Sequence, residues 1–252
     1  MSNFIKNNFE TFQASFEKHI GRKLCPWIED NIVVKKTKKH KKVEKAPKWF
    51  LCHVLLREPS VEVTQFCEEH FSEANNLNGR TPHEYACDQV FGYLKEVYHI
   101  KRLELKHPNI ELTLVSDEFN KDTGKREIYT EGSRSGGIDL KARFKENKDK
   151  TKYKGIHIKS NSTFIRSPTM TFRGGRNPEI NKIKNIEHGV HIPVDENQYF
   201  SISDLLKNKD CIESEGKLTN PEDMKSWGGE GSYRIKFTKN ILKFATPYQW
   251  KN

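Results

Sequence analysis

Gly137-Ile138-Asp139-Leu140-Lys141-Ala142-Arg143-Phe144 and, further on, Gly155-Ile156-His157-Ile158-Lys159-Ser160 are the stretches on which the reading of this chain turns. In the first, Ile138, Leu140, Ala142 and Phe144 alternate with Asp139, Lys141 and Arg143, the period of a strand with one buried and one charged face. In the second, Ile156 and Ile158 take the buried side, and His157 and Lys159 share the other. If the two strands pair as a hairpin, Asp139, His157 and Lys159 converge. Working outward, the same period predicts strands at 110–115, 127–131, 137–144 and 154–160, separated by Asp, Asn, Gly and Lys turns. Ahead of them, Thr81-Pro82-His83-Glu84 is a T-x-x-E capping box with Pro at the first helical position. It opens a helix over 82–98 with a stripe of Cys87, Val90, Phe91, Leu94, Val97 and Tyr98. Glu84 sits one heptad before Phe91 on that stripe. The expected order is helix, then strand meander.

A carboxylate on one strand with a lysine on its neighbour suits metal-assisted phosphodiester hydrolysis. The carboxylate holds Mg²⁺, and the ammonium positions or helps deprotonate the attacking water and offsets phosphate charge. A lone strand Lys or an exposed strand His is common on any solvated sheet face, so spacing by itself does not establish chemistry.

Ser135-Gly136-Gly137-Ile138-Asp139 followed by His157-Ile158-Lys159 resembles the signature of the PD-(D/E)XK nucleases. The likeness is to the Mrr-like form, in which Gly-Gly-Ile/Val-Asp precedes Gln/Glu-x-Lys. It covers roughly 82–160, and the helix bearing Glu84 occupies the place of that family's first helix. The resemblance implies an α/β (α+β) restriction-endonuclease-like core, a mixed central β-sheet flanked by helices. It also implies a metal site of Asp139, the Ile158 carbonyl and Glu84, with Mg²⁺ as cofactor or Mn²⁺ in its place, and Lys159 as the water-positioning group. His157 departs from the family's acid or Gln, and imidazole is a poor Mg²⁺ ligand. Either a displaced acid such as Glu84 or Glu131 completes the site, or the site is weakened, or His157 marks a substituted catalytic acid. A rival register takes Asp117 as the first acid and Asp139-Leu140-Lys141 as the D-x-K. Glu84, as the third residue of a capping box, has a sufficient local role without a metal.

The flanks carry charge. Residues 3–21 place Ile5, Phe9, Phe12, Phe16 and Ile20 at helical spacing before Gly21, and a further helix is expected over 60–74. Between Val34 and Trp49 lie eight lysines in fourteen residues, Lys35 to Lys48, either a solvated loop or an arm that tracks phosphates. After Lys159, a Ser/Thr-, Arg- and Asn-rich segment with interleaved Phe places Arg166, Arg173, Arg176 and Asn177 where side chains could reach phosphates and base edges, with Lys141 on the strand face. Residues 161–198 read as loop-rich, 201–207 as a short helix, and 233–238 with 241–245 as a terminal strand pair. His188 and His191 form a weak H-x-x-H, more simply incidental.

The 252 residues carry 44 Lys and Arg against 34 Asp and Glu, a formal net charge of +10, which favours polyanionic partners. Leu, Ile, Val and Phe make up 60 of them, enough for a packed core. No apolar run reaches membrane-span length and the first residues lack a secretion signal. Five cysteines without a C-x-x-C pair argue against a disulfide framework and a structural zinc site and for a reducing, cytoplasmic setting. The expected organisation is an N-terminal helical, Lys-rich, DNA-contacting extension over 1–80 and a nuclease domain over 81–252. The expected activity is sequence-specific cleavage of double-stranded DNA by a homodimer of the type II restriction kind. The rivals are a non-catalytic DNA-binding protein on a decayed nuclease fold and an RNA-binding or ribosome-associated basic protein.

Overall fold

The computed structural model describes residues 3–35, 43–44, 61–72, 77, 79–115, 126–127, 138–149, 151–159, 164, 167–173, 179–184, 186, 189–218 and 232–250. The chain is mixed α/β and divides into two compact units, Met1–Lys101 with Ser116–Gly132, and Arg102–Val115 with Ser133–Asn252. Among the described residues no helix is long and apolar enough to cross a membrane.

The first unit is mostly helical. Helix α1 (Asn3–Ile20) stops at Gly21, whose φ of +73° only glycine adopts without strain and whose N–H returns to the Glu17 carbonyl. The sequence did not announce α2 (Leu24–Asn31), which brings Trp27 against Phe16 and Tyr93. Phe12 packs edge-on to Phe91 and Tyr98, so the stripe read along the long helix does face α1. A small sheet joins β1 (Ile32–Lys35) to β2 (Val43–Glu44) and, in parallel, to β4 (Arg126–Glu127). Of the strand expected at 127–131 only residue 127 is described, the others lying outside the described residues, and it pairs with β1 and not with the meander. Helix α3 (Val61–Phe71) sets Phe71 against Tyr85 at the start of α4 (Pro82–Lys106). The capping box forms as read: Glu84 N–H donates to Thr81 Oγ1 at 3.2 Å and Thr81 N–H donates to Glu84 Oε2 at 2.9 Å. Helix α4 continues eight residues past the expected end at 98, its last turn lying in the second unit.

The second unit is built on a mixed six-stranded sheet in the order β12-β9-β8-β6-β5-β3. Strands β3 (Ile110–Leu114), β5 (Leu140–Phe144) and β6 (Lys154–Ile156) form the antiparallel meander, with Thr113 opposite Lys141 and Leu140 opposite Ile156. Both site strands are shorter than 137–144 and 154–160, because the ladder opens before Leu140 and after Ile156. Residues 161–198, expected as loop, contain β7 (Thr169–Arg173), α5 (Glu179–Lys184) and β8 (Val190–Pro193). Strand β8 runs parallel to β6, which requires the long crossover that this segment supplies. Strand β9 (Gln198–Ser201) and β12 (Thr246–Pro247) extend the sheet antiparallel, and α6 (Ile202–Lys207) follows β9 as foreseen. A second sheet, β10 (Ile212–Leu218), β11 (Ser232–Phe237) and β7, packs its apolar residues into the same core. The expected strand at 241–245 is instead a 3₁₀ turn, Ile241–Phe244, and β11 takes β10 and β7 as neighbours. Ile138, Val190, Ile192, Phe172, Phe200, Phe237 and Ile241 close this core.

Candidate active site

Asp139 stands at the point where β5 and β6 part. Its backbone N–H still donates to the Ile156 carbonyl at 2.9 Å and its carbonyl accepts from Val115 N–H at 2.9 Å, so its main chain is held from both sides. Its side chain then takes over where the ladder ends: Ile158 N–H donates to Asp139 Oδ2 at 2.6 Å, a charge-assisted bond. His157, anchored by its N–H to the His191 carbonyl at 2.8 Å, brings Nδ1 to 3.2 Å from the same oxygen. That is an ion-pair separation, but the atoms are not aligned as a hydrogen bond. The second oxygen, Oδ1, takes no hydrogen bond among the described residues. The Asp139 side chain is 26 % exposed, so it is partly buried and not sealed from solvent.

Burial works against the charged form of Asp139, and the His157 imidazole, the Ile158 N–H and the Lys159 ammonium work for it. The attractions win, and the carboxyl is held below its usual value. Hence two of the sequence-expected residues, Asp139 and His157, do meet, with Ile158 contributing its N–H, and the Lys159 ammonium acts on the carboxylate through its charge.

Glu84 belongs to the other unit, and its carboxylate is committed to the Thr81 N–H. That bond is the largest cause of its pKa falling from 4.5 to about 2. Lys141 lies with its Nζ 4.9 Å above the centroid of the Tyr153 ring. Arg173 ends β7. Arg166, Arg176, Asn177, Asp117, Glu131, Gly136, Gly137 and nearly all of the Lys35 to Lys48 run lie outside the described residues. Sequence reading missed Tyr153, whose Lys-Tyr-Lys setting looks like turn chemistry, and set aside as incidental His191, whose carbonyl fixes His157.

No protein-family model, no curated protein and no solved structure matches this chain. The site therefore has to be weighed on its chemistry.

Among the described residues no three His, Cys, Asp or Glu side chains group to hold a metal. A hard dication such as Mg²⁺ needs fewer protein donors than that, since it keeps several waters and is bound through one or two carboxylates plus substrate phosphates. Asp139, whose Oδ1 takes no hydrogen bond among the described residues, fits that mode. The His157 imidazole suits transition ions better.

Proposed function

We propose that the chain is a divalent-metal-dependent DNA endonuclease on a restriction-endonuclease-like core, of the type II, homodimeric kind. The observation that carries the reading is the Asp139 carboxylate held by the Ile158 N–H where two strands of a hairpin part, with the Lys159 charge acting on it. Asp139 would hold the ion together with the Ile158 carbonyl. Bound there, Mg²⁺ or Mn²⁺ would neutralise phosphate charge and acidify a water molecule. The residues of the chain supply the rest. Ile158 N–H fixes the rotation of the Asp139 carboxylate, the Lys159 ammonium orients the attacking water and offsets charge on the phosphate, and the +10 surface draws in the polyanion. The reaction is addition of water to phosphorus with loss of one ester oxygen.

One observation favours a second reading. His157 presses on Asp139 Oδ2 at 3.2 Å, where the resembling family carries an acid or Gln, and this suits a DNA-binding protein whose nuclease site has decayed. Incubation of parent, Asp139→Ala, Lys159→Ala and His157→Glu with long duplex DNA and Mg²⁺ or Mn²⁺ separates the two. The nuclease reading expects discrete fragments from the parent, none from the first two variants although they still bind DNA, and raised Mg²⁺-supported cleavage by His157→Glu. Intact DNA, methylated or not, with retained binding and either metal would leave the binding protein.

A further inference from the structure

Strand β5 continues past Asp139 with Lys141 and Arg143 at alternate positions, and these share a seat. Lys141 Nζ lies 4.9 Å and the Arg143 guanidinium carbon 5.8 Å from the centroid of the Tyr153 ring. The register shows which face they occupy. Lys141 is opposite Gly155, and a Cβ on Gly155 would lie 3.2 Å from Ile138 Cδ1 and Val190 Cγ2, so this face borders the core that holds Ile138 and Val190, with Lys141, Arg143 and Tyr153 only half-buried at its margin. Tyr153 is two residues before Gly155 and lies on that face. Tyr153 also packs against the same core, so its ring is held rather than free to turn away.

Arg143 is the telling member of this shelf. It stands opposite Glu111 in the β3 to β5 register, yet among the described residues no carboxylate pairs with it, and its Nε is shut from water with no hydrogen-bond partner. The residue as a whole is only half-buried, so its unneutralised charge remains within reach of an anion. Alternate residues of a strand are about 6.6–6.8 Å apart. That is close to the separation of successive phosphates along one nucleic-acid strand. Asp139, Lys141 and Arg143 thus make one acidic and two cationic stations at phosphate spacing.

We propose that Lys141 and Arg143, seated on Tyr153, bind the two backbone phosphates that follow the cleaved one on a single DNA strand. The inference rests on the nuclease reading for the role of Asp139, but the shelf itself is tested by binding alone. It gives the site a polarity: contacts extend to one side of the cut.

The test uses the full chain with short duplexes at several salt concentrations. Lys141→Ala and Arg143→Ala should each weaken binding roughly three- to tenfold and flatten the slope of log K against log salt by about 0.9, with Tyr153→Phe near the parent and Tyr153→Ala behaving like Arg143→Ala. Thermal midpoints near the parent's show that folding is not the cause. In cleavage, KM should rise with kcat within about twofold, as expected for uniform binding. Duplexes bearing one neutral methylphosphonate at the first or second phosphate on one side of the cut should mimic the two variants on parent protein, and the same change on the other side should not. Unchanged affinity and salt slope in both variants, or a fall in kcat at constant KM, would overturn the shelf even if Asp139→Ala abolishes cleavage. If no metal supports cleavage and the slope still flattens, the shelf stands and the nuclease reading falls.

Discussion

Asp139 is a carboxylate under opposing pressures, and the balance fixes how it answers to pH. Burial raises its pKa, while His157, the Ile158 N–H and Lys159 lower it by more. A carboxyl whose folded pKa is depressed stabilises the fold fully above its unfolded value and loses that contribution as pH falls through the folded one. Asp139→Asn should therefore cost about 1 kcal/mol at pH 6, the difference between a charged and a neutral acceptor for Ile158 N–H. In urea unfolding the gap to the parent should hold down to pH near the ordinary carboxyl value of 3.8 and close below it. A gap that widens toward acid would show that the side chain is not stabilised as an anion. The identity of these residues was legible because alternation alone puts Asp139 on one face and His157 with Lys159 on a neighbour's. The bond from Ile158 N–H was not, because it forms only where the ladder opens.

At the scale of elements, the long helix and the hairpin were readable for local reasons. Thr81 and Glu84 cap reciprocally within four residues, so the start of α4 follows from sequence. Its end did not, since Leu103, in the added turns, is a buried core residue rather than part of a local signal. Strands β7 and β8 were read as loop because their partners, β11 and β6, lie far away in sequence. Gly155 shows how tightly β6 is fitted. Alanine would gain about 0.5–1 kcal/mol of backbone preference. Its methyl, however, would press at 3.2 Å on Ile138 and Val190, which are 4 % and 0 % exposed and have nowhere to move. Gly155→Ala should destabilise by about 1 kcal/mol net. It should also reduce activity through Ile138, the neighbour of Asp139. Denaturant midpoints and single-turnover rates would check both, and a stabilised, fully active variant would refute the packing argument.

For the whole molecule, division into two compact units means that one two-state free energy does not describe the chain. Phe237 is fully buried in the core that also contains Ile138. Phe237→Ala should lower the stability of the second unit by about 3–5 kcal/mol, read from amide exchange along β11 and β5. A loss under about 1 kcal/mol would mean that this core can collapse around the cavity. The sequence by itself determined the basic character, the helix α4 start, the two site strands and the candidate residues Asp139, His157 and Lys159, because charge, capping and strand alternation act over a few residues. Only the tertiary structure decided that β4 leaves the meander and that β8 returns parallel to β6. It also decided that Asp139 lies where two strands part and that Tyr153 seats Lys141 and Arg143. Those outcomes depend on pairings and contacts between residues distant in the chain, where burial of apolar faces outweighs local preference.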